Sequence, residues 1–202
     1  SHNESLIKLS LEKNVLSDVD LTENALIENL WLGGNQLTSL DVSLNTELLT
    51  LSAWTNQLVS IDVRANTALE DLWLWDNQLA AIDVSQNVGL RILSLESNDL
   101  SSINLRHNEA LDQLLLHNNA LKGLDLSRNT ELKLLVVESN SLSTLSLFRN
   151  VLLEELWSSN NQLKTINLDA NTNLNVVALE NNPLESTTLE YLETLTISDL
   201  SF

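Results

Sequence analysis

The stretch LDVSLNTELLTLSAWTNQL, residues 40–58, holds two near copies of one pattern: Leu40 and Val42 lead to Asn45, and Leu51 and Ala53 lead to Asn56. In each copy alternate residues are apolar, which is the period of extended chain with one face buried. Outward from this stretch the pattern never loses step. With Leu6, Ile27, Leu48, Leu69, Leu90, Leu111, Leu132, Leu153 and Leu174 as position one, a 21-residue unit recurs without an insertion. Position nine is asparagine from Asn14 to Asn182, and position nineteen is asparagine from Asn24 to Asn171. Apolar columns fill positions one, four, six, eleven, fourteen and sixteen, so each unit reads LxxLxLxxNxLxxLDVxxNxx.

A unit this short, with extended chain in both halves, leaves no room for a helix, and only four glycines and one proline interrupt the chain. One coil cannot bury its own leucines, whereas stacked coils can. The expectation is a β-rich repeat solenoid with short parallel strands on both broad sides and very little helix. Residues 1–202 read as a single domain, with regular repeats over 6–184 and an irregular C-terminal coil or cap over 185–202. After Pro183 the period is expected to shorten. The tail LESTTLEYLETLTISDLSF, residues 184–202, keeps one more LxxLxI from Leu192 to Ile197, preceded by a stretch suited to a single helical turn. At the other end only five polar residues precede Leu6, so the first coil's edge is either covered by sequence outside this chain or exposed.

The pattern resembles a leucine-rich repeat. The tandem in residues 40–58 is similar to the 21-residue bacterial class of internalin-like and related secreted proteins, in which both halves carry LxxLxLxxN, and the resemblance covers residues 6–184. It implies a right-handed superhelix, a protein-interaction or adhesion role, and a place outside the cell, secreted or at the cell surface. Cysteine-bearing relatives often place cysteine at position six; here that column is Leu, Val137, Ala53 or Ser158.

Composition narrows the partners. With 43% apolar and 19% charged residues the chain can build a core, and no uncharged apolar run is long enough for a membrane helix. The 28 acidic against 10 basic residues give a net charge of −18, which repels nucleic-acid phosphates and anionic headgroups. Nucleic acid and membrane insertion are therefore excluded as first readings. Without cysteine there are no disulfides, thiolate metal sites or thiol nucleophiles. The opening SHNESL lacks methionine and reads as the start of an excised mature fragment.

The asparagine columns read as scaffold, because their amides can satisfy backbone groups where the chain turns. Position fifteen is Asp20, Asp41, Asp62, Asp83 and Asp125, replaced by Asn104, Ser146 and Asn167. Stacked carboxylates repel, so this column calls for turn hydrogen bonds or cations. Arg64, Arg106, Arg128 and Arg149 stand close in register to compensate, and a calcium ladder is the alternative.

The tryptophans carry the functional reading. Trp31, Trp73 and Trp157 fall at position five, and Trp54 and Trp75 at position seven, so alternation turns all five outward on one face while Leu72 and Leu74 point in. An exposed aromatic patch marks a contact surface. Trp54 and Trp75 should stand about 4.8 Å apart on adjacent coils, and Ser52 between Trp31 and Trp73 suggests a slot one ring thick. Farther along lies a more aliphatic patch: Leu115, Val136, Trp157 and Ala178 in column five, and Ile92, Leu134 and Val176 in column three. Glu96, Glu138 and Glu155 edge it.

Catalytic signals are weak. His107 and His117 occupy different positions of neighbouring coils and His2 lies in the terminus, so no pair has metal-ligand spacing. Asp71, Asp76 and Glu96 could gather as glycosidase carboxylates do, but an acidic chain produces such neighbours by chance. No phosphate loop or nucleophile elbow is present. The expectation is a non-catalytic recognition module without cofactor or metal. Its ligand-binding residues are Trp31, Trp54, Asp71, Trp73, Trp75, Asp76, Leu115, Val136 and Trp157, and its ligand is a protein. The alternative is a carbohydrate, with the tryptophans stacking on sugar faces and Asp71, Asp76, Asn29 and Thr55 taking hydroxyls.

Overall fold

A computed structural model describes residues 3–202. Positions three to five of each unit form a short strand, from β1 (Lys8–Ser10) through β9 (Val176–Ala178). With a last strand, β10 (Asp199–Ser201), they make one ten-stranded parallel sheet in chain order. Register is uniform: Leu30 faces Leu51, and Leu51 faces Leu72. One continuous core fills the coils, and in it Leu30, Leu51, Leu72 and Leu74 are fully buried. The solenoid expectation holds.

Strands form on one broad side only, so the expected second sheet is a correction. In the first half the cross-coil backbone bonds continue beyond the strand, as from Leu32 N–H to Ser52 O at 2.7 Å and from Gly34 N–H to Trp54 O at 2.8 Å. In the second half one backbone bond per coil remains at the entry, such as Gln57 N–H to Leu37 O at 2.8 Å. Local bonds displace the rest. The position-fifteen side chain accepts the N–H two residues on, as Asp41 does from Ser43 at 2.9 Å and Asp83 from Ser85 at 3.0 Å. Two consecutive turns follow, closed by Asn45 N–H to Val42 O and Leu48 N–H to Asn45 O. Short Asp and Asn side chains compete with ladders in this way, so alternation alone did not make a sheet.

The asparagine columns act differently. At position nine, Asn98 (8% exposed) donates to Leu95 O and to Leu74 O of the preceding coil, both at 3.0 Å, and accepts from Leu79 N–H at 2.9 Å. At position nineteen, Asn87 donates to Val63 O at 2.9 Å and Asn66 O at 2.8 Å, both in the coil before it, and its own Oδ1 has no partner. Both amides bridge coils, which is the scaffold role expected.

The C-terminal coil lengthens instead of shortening. Asp199 pairs with Val176, where an unbroken period would have brought Ile197. The additional residues go into a helix, α1 (Ser186–Leu192), which needs more residues per ångström than extended chain. Leu192 ends that helix, fully buried, so LxxLxI is not the strand and Leu200 takes the inward position. Tyr191 secures the helix: its hydroxyl donates to Asp169 at 2.9 Å and accepts from Leu168 N–H at 3.0 Å. At the opposite end Leu6, Leu9, Leu11, Leu16 and Val19 pack on the core but are not fully covered.

Candidate functional site: the outer face of the sheet

Strand alternation sends position four inward and positions three and five outward, and the chain stays extended enough to turn position seven outward as well. Trp31, Trp73 and Trp157 accordingly stand on the outer face within their strands, with Trp54 and Trp75 just beyond. Position eight then turns sharply. It takes a positive φ in every coil, 46° at Thr55, 56° at Asp76 and 69° at Gly34, which re-aims the chain toward asparagine nine.

Trp54 and Trp75 stack with ring centroids 4.8 Å apart and planes within 2°. The base of the stack is Gly33, where an added Cβ would lie 2.2 Å from Trp54 Cε2. Glycine thus serves as a flat platform for the first indole, and the second lies on the first. The coil spacing falls within the centroid range of offset-stacked aromatic rings and so sets the geometry.

Two details depart from expectation. All five tryptophans are half-buried rather than freely exposed, Trp54 and Trp75 in part because they stack on each other. Ser52 is 4% exposed, so its neighbours close over it and the slot between Trp31 and Trp73 is filled. Among the carboxylates, Asp76 accepts the Thr55 hydroxyl at 2.8 Å. Asp71 is half-buried, and burial together with the nearby Glu70 pushes its carboxyl above the ordinary value. Glu96 is tethered by the Ser94 hydroxyl at 2.7 Å.

The second patch follows the first along column five, after the buried Ser94. Leu115 and Val136 are half-buried neighbours in column five, and Val136 pairs in register with Trp157. Trp157 Nε1 donates to Glu155 at 3.1 Å, and beside this ring is a shallow cavity of about 290 Å³ bounded by Glu138, Ser159, Asn160 and Glu180. Ala178 is buried, so that column closes at the ninth coil.

Away from this face the position-fifteen aspartates are each satisfied within their turn. Hydrogen bonds from the hydroxyl and backbone of the residue two on hold Asp20, Asp41 and Asp125 below the usual carboxylate value, and backbone then hydroxyl bonds do so for Asp83. Arg64 bonds Asp62 through two nitrogens, at 3.0 and 2.7 Å, and draws it down to about 2. Of the other arginines, Arg128 adds a minor attraction that lowers Asp125, and the rest turn elsewhere. Arg106 donates to His107, Arg128 reaches Glu109 at 4.0 Å, and Arg149 lies over Phe148. Among the described residues no group of three His, Asp or Glu side chains has metal-site geometry, and His2 falls outside them.

A feature the sequence reading missed lies on this second side: a cavity of about 590 Å³ lined by Thr144, Ser146, Phe148, Thr165, Ile166 and Asp169. Its signal was available in the pattern, since Ser146 replaces aspartate at position fifteen and Phe148, 70% exposed, is the lone aromatic at position seventeen.

No family model matches the chain, and no curated protein sequence does. Solved structures do. The chain is similar to the functional domain of InlJ from Listeria monocytogenes, which includes a cysteine ladder, at 27% identity and a TM-score of 0.74 over 90% of this chain and 45% of that one. A leucine-rich repeat protein of Leptospira interrogans gives 23% and 0.80 over 98% and 60%. YopM, a leucine-rich effector protein of Yersinia pestis, gives 24% and 0.68 over 89% and 44%. The chain spans about half the length of these proteins. The fold is the leucine-rich repeat solenoid, built on the 21-residue coil of the internalin type, and that fold is a general scaffold for protein–protein interaction.

Proposed function

We propose that residues 1–202 act as one non-catalytic recognition domain, secreted or displayed at the cell surface, that binds a protein partner through the outer face of the sheet. The observation that carries this is the Trp54–Trp75 stack seated on Gly33, continuous with Trp31 and Trp73. Indoles fixed in place lose little entropy on binding, and such rings dominate interface energies. Leu115, Val136 and Trp157 extend the contact, and Asp71 and Asp76 supply its polar edge. The span of this face suits a partner surface better than a single small ligand, which needs a concave pocket.

A neutral polysaccharide is the second reading, favoured by the planar tryptophans. The filled Ser52 gap and the mutual Thr55–Asp76 bond weigh against it, because they occupy groups a sugar would use. A glycan array and a selection for binding proteins, each run with the native chain and with Trp73→Ala/Trp75→Ala, separate the two. Protein binding lost in the variant supports the proposal. Tryptophan-dependent glycan binding without a protein ligand replaces it.

A further inference from the structure

The tryptophan stack has two ends, and they differ. One rests on Gly33, whose missing side chain is what lets Trp54 lie flat. The other is the far side of Trp75. The next coil pairs in register there, Asp76 N–H bonding Glu96 O at 2.9 Å, and column seven continues with Glu96 in place of a third ring. The Ser94 hydroxyl holds that carboxylate.

The charge around this end is predominantly negative, Arg91 in column two being the cation that reaches Asp71. In columns three, five, seven and eight the outer face carries Asp71, Asp76, Glu96, Glu138, Glu155 and Glu180, and no lysine or arginine from the second coil through the ninth. The chain as a whole is at −18. A partner rich in carboxylate or phosphate would be repelled before contact, whereas a basic one is drawn in. The aromatic stack then selects among cations. A guanidinium is planar, weakly hydrated and able to stack on an indole while its edge donates two hydrogen bonds to a carboxylate; an ammonium, a compact and strongly hydrated point charge, has no plane to stack and no fixed fork of donors.

We infer, resting on the protein-binding reading above, that the partner presents a basic segment whose arginine stacks on the open side of Trp75 and pairs with Glu96. Trp54 and Gly33 serve as backing that keeps Trp75 in plane. Asp71, where burial and Glu70 outweigh the pull of Arg91, gains from a second cation arriving nearby.

The test is a displayed random-peptide library selected on the intact chain and counter-selected on Trp73→Ala/Trp75→Ala, with thermal melts confirming that the variants fold. The enriched peptides are expected to contain arginine. Arginine-to-citrulline replacement should weaken binding tenfold or more, arginine-to-lysine several-fold, and Glu96→Gln or high salt several-fold, with the fold untouched in Glu96→Gln. Trp75→Phe keeps a smaller stacking face and should bind in between. Tryptophan-dependent peptides that lack basic residues and ignore salt overturn the arginine assignment while leaving the protein-binding face in place. Arginine peptides that bind Trp75→Ala as well as the native chain overturn the stacking. Recovery of no tryptophan-dependent peptide overturns both readings.

Discussion

Replacing Asn98 with alanine should remove between about 2 and about 6 kcal/mol of stability, and the structure says where the loss falls. Leu79 N–H donates to Asn98 Oδ1 at 2.9 Å and sits beneath a fully buried leucine, so in the variant it has no acceptor and no water. The carbonyls of Leu74 and Leu95 fare better. Asn77 also donates to Leu74 O and Asn119 to Leu95 O, each at 3.0 Å, so each carbonyl keeps one of two donors. An orphaned buried N–H costs about 1 to 3 kcal/mol and each shared bond about 0.5 to 1.5. Asn87→Ala is the control. Its carbonyl acceptors, Val63 O and Asn66 O, keep backbone donors from Asn66 and Leu69, and its Oδ1 had no partner to lose. That variant should cost less. Urea unfolding followed by circular dichroism gives the totals, and amide exchange at Leu79 localises the effect, since stacked coils can open one at a time. If Asn98→Ala is no worse than Asn87→Ala, or if the Leu79 amide stays protected, the account of the position-nine column is wrong.

Ser158 is fully buried at position six with an unpartnered hydroxyl, so Ser158→Ala should leave the melting temperature unchanged or raise it, as a thermal scan would show. Gly33→Ala should displace Trp54 and unstack it from Trp75, seen as altered tryptophan emission and quenching with the coil count intact by circular dichroism. Trp73→Ala/Trp75→Ala should cost about 1 to 3 kcal/mol in denaturant unfolding, because half-buried, stacked rings contribute area and ring contact; a change near zero would show that the rings are free. Asp62 should titrate near 2 in a carboxyl NMR titration, and Arg64→Ala should raise it. Since its folded value is depressed, its contribution to stability is present above about pH 4 and is lost as pH falls toward 2.

The coil length, inward leucines and outward tryptophans were legible in the sequence because a strict period translates directly into a stacked register. The second side was not. Leu40 and Val42 alternate as Leu30 and Leu32 do, but Asp41 between them takes the Ser43 N–H, and that local bond outcompetes a ladder that periodicity alone would predict. The final coil was misread for a related reason: Leu192, Leu195 and Ile197 have strand spacing, yet Tyr191 finds Asp169 and Leu168 from a helix. At the site, the 4.8 Å spacing of Trp54 and Trp75 followed from strand geometry. The support from Gly33 and the covering of Ser52 depend on side-chain rotamers, which no pattern encodes.

The gapless period has a consequence for how such a chain can change length. Every bridging amide reaches the coil one period away, so excising any one whole unit from the interior joins two coils through the same donors and acceptors that the cut removed. Deleting residues 69–89 would take Trp73 and Trp75 with it and bring Trp54 beside Glu96, yet the bridging amides at the junction would meet the same backbone acceptors as those of any other coil. A cut one residue longer or shorter than the unit would throw the asparagines of the coil at the junction out of reach of their acceptors. The molecule can therefore be shortened or extended in whole coils, and the pattern on its outer face can be edited one row at a time without disturbing what lies beneath.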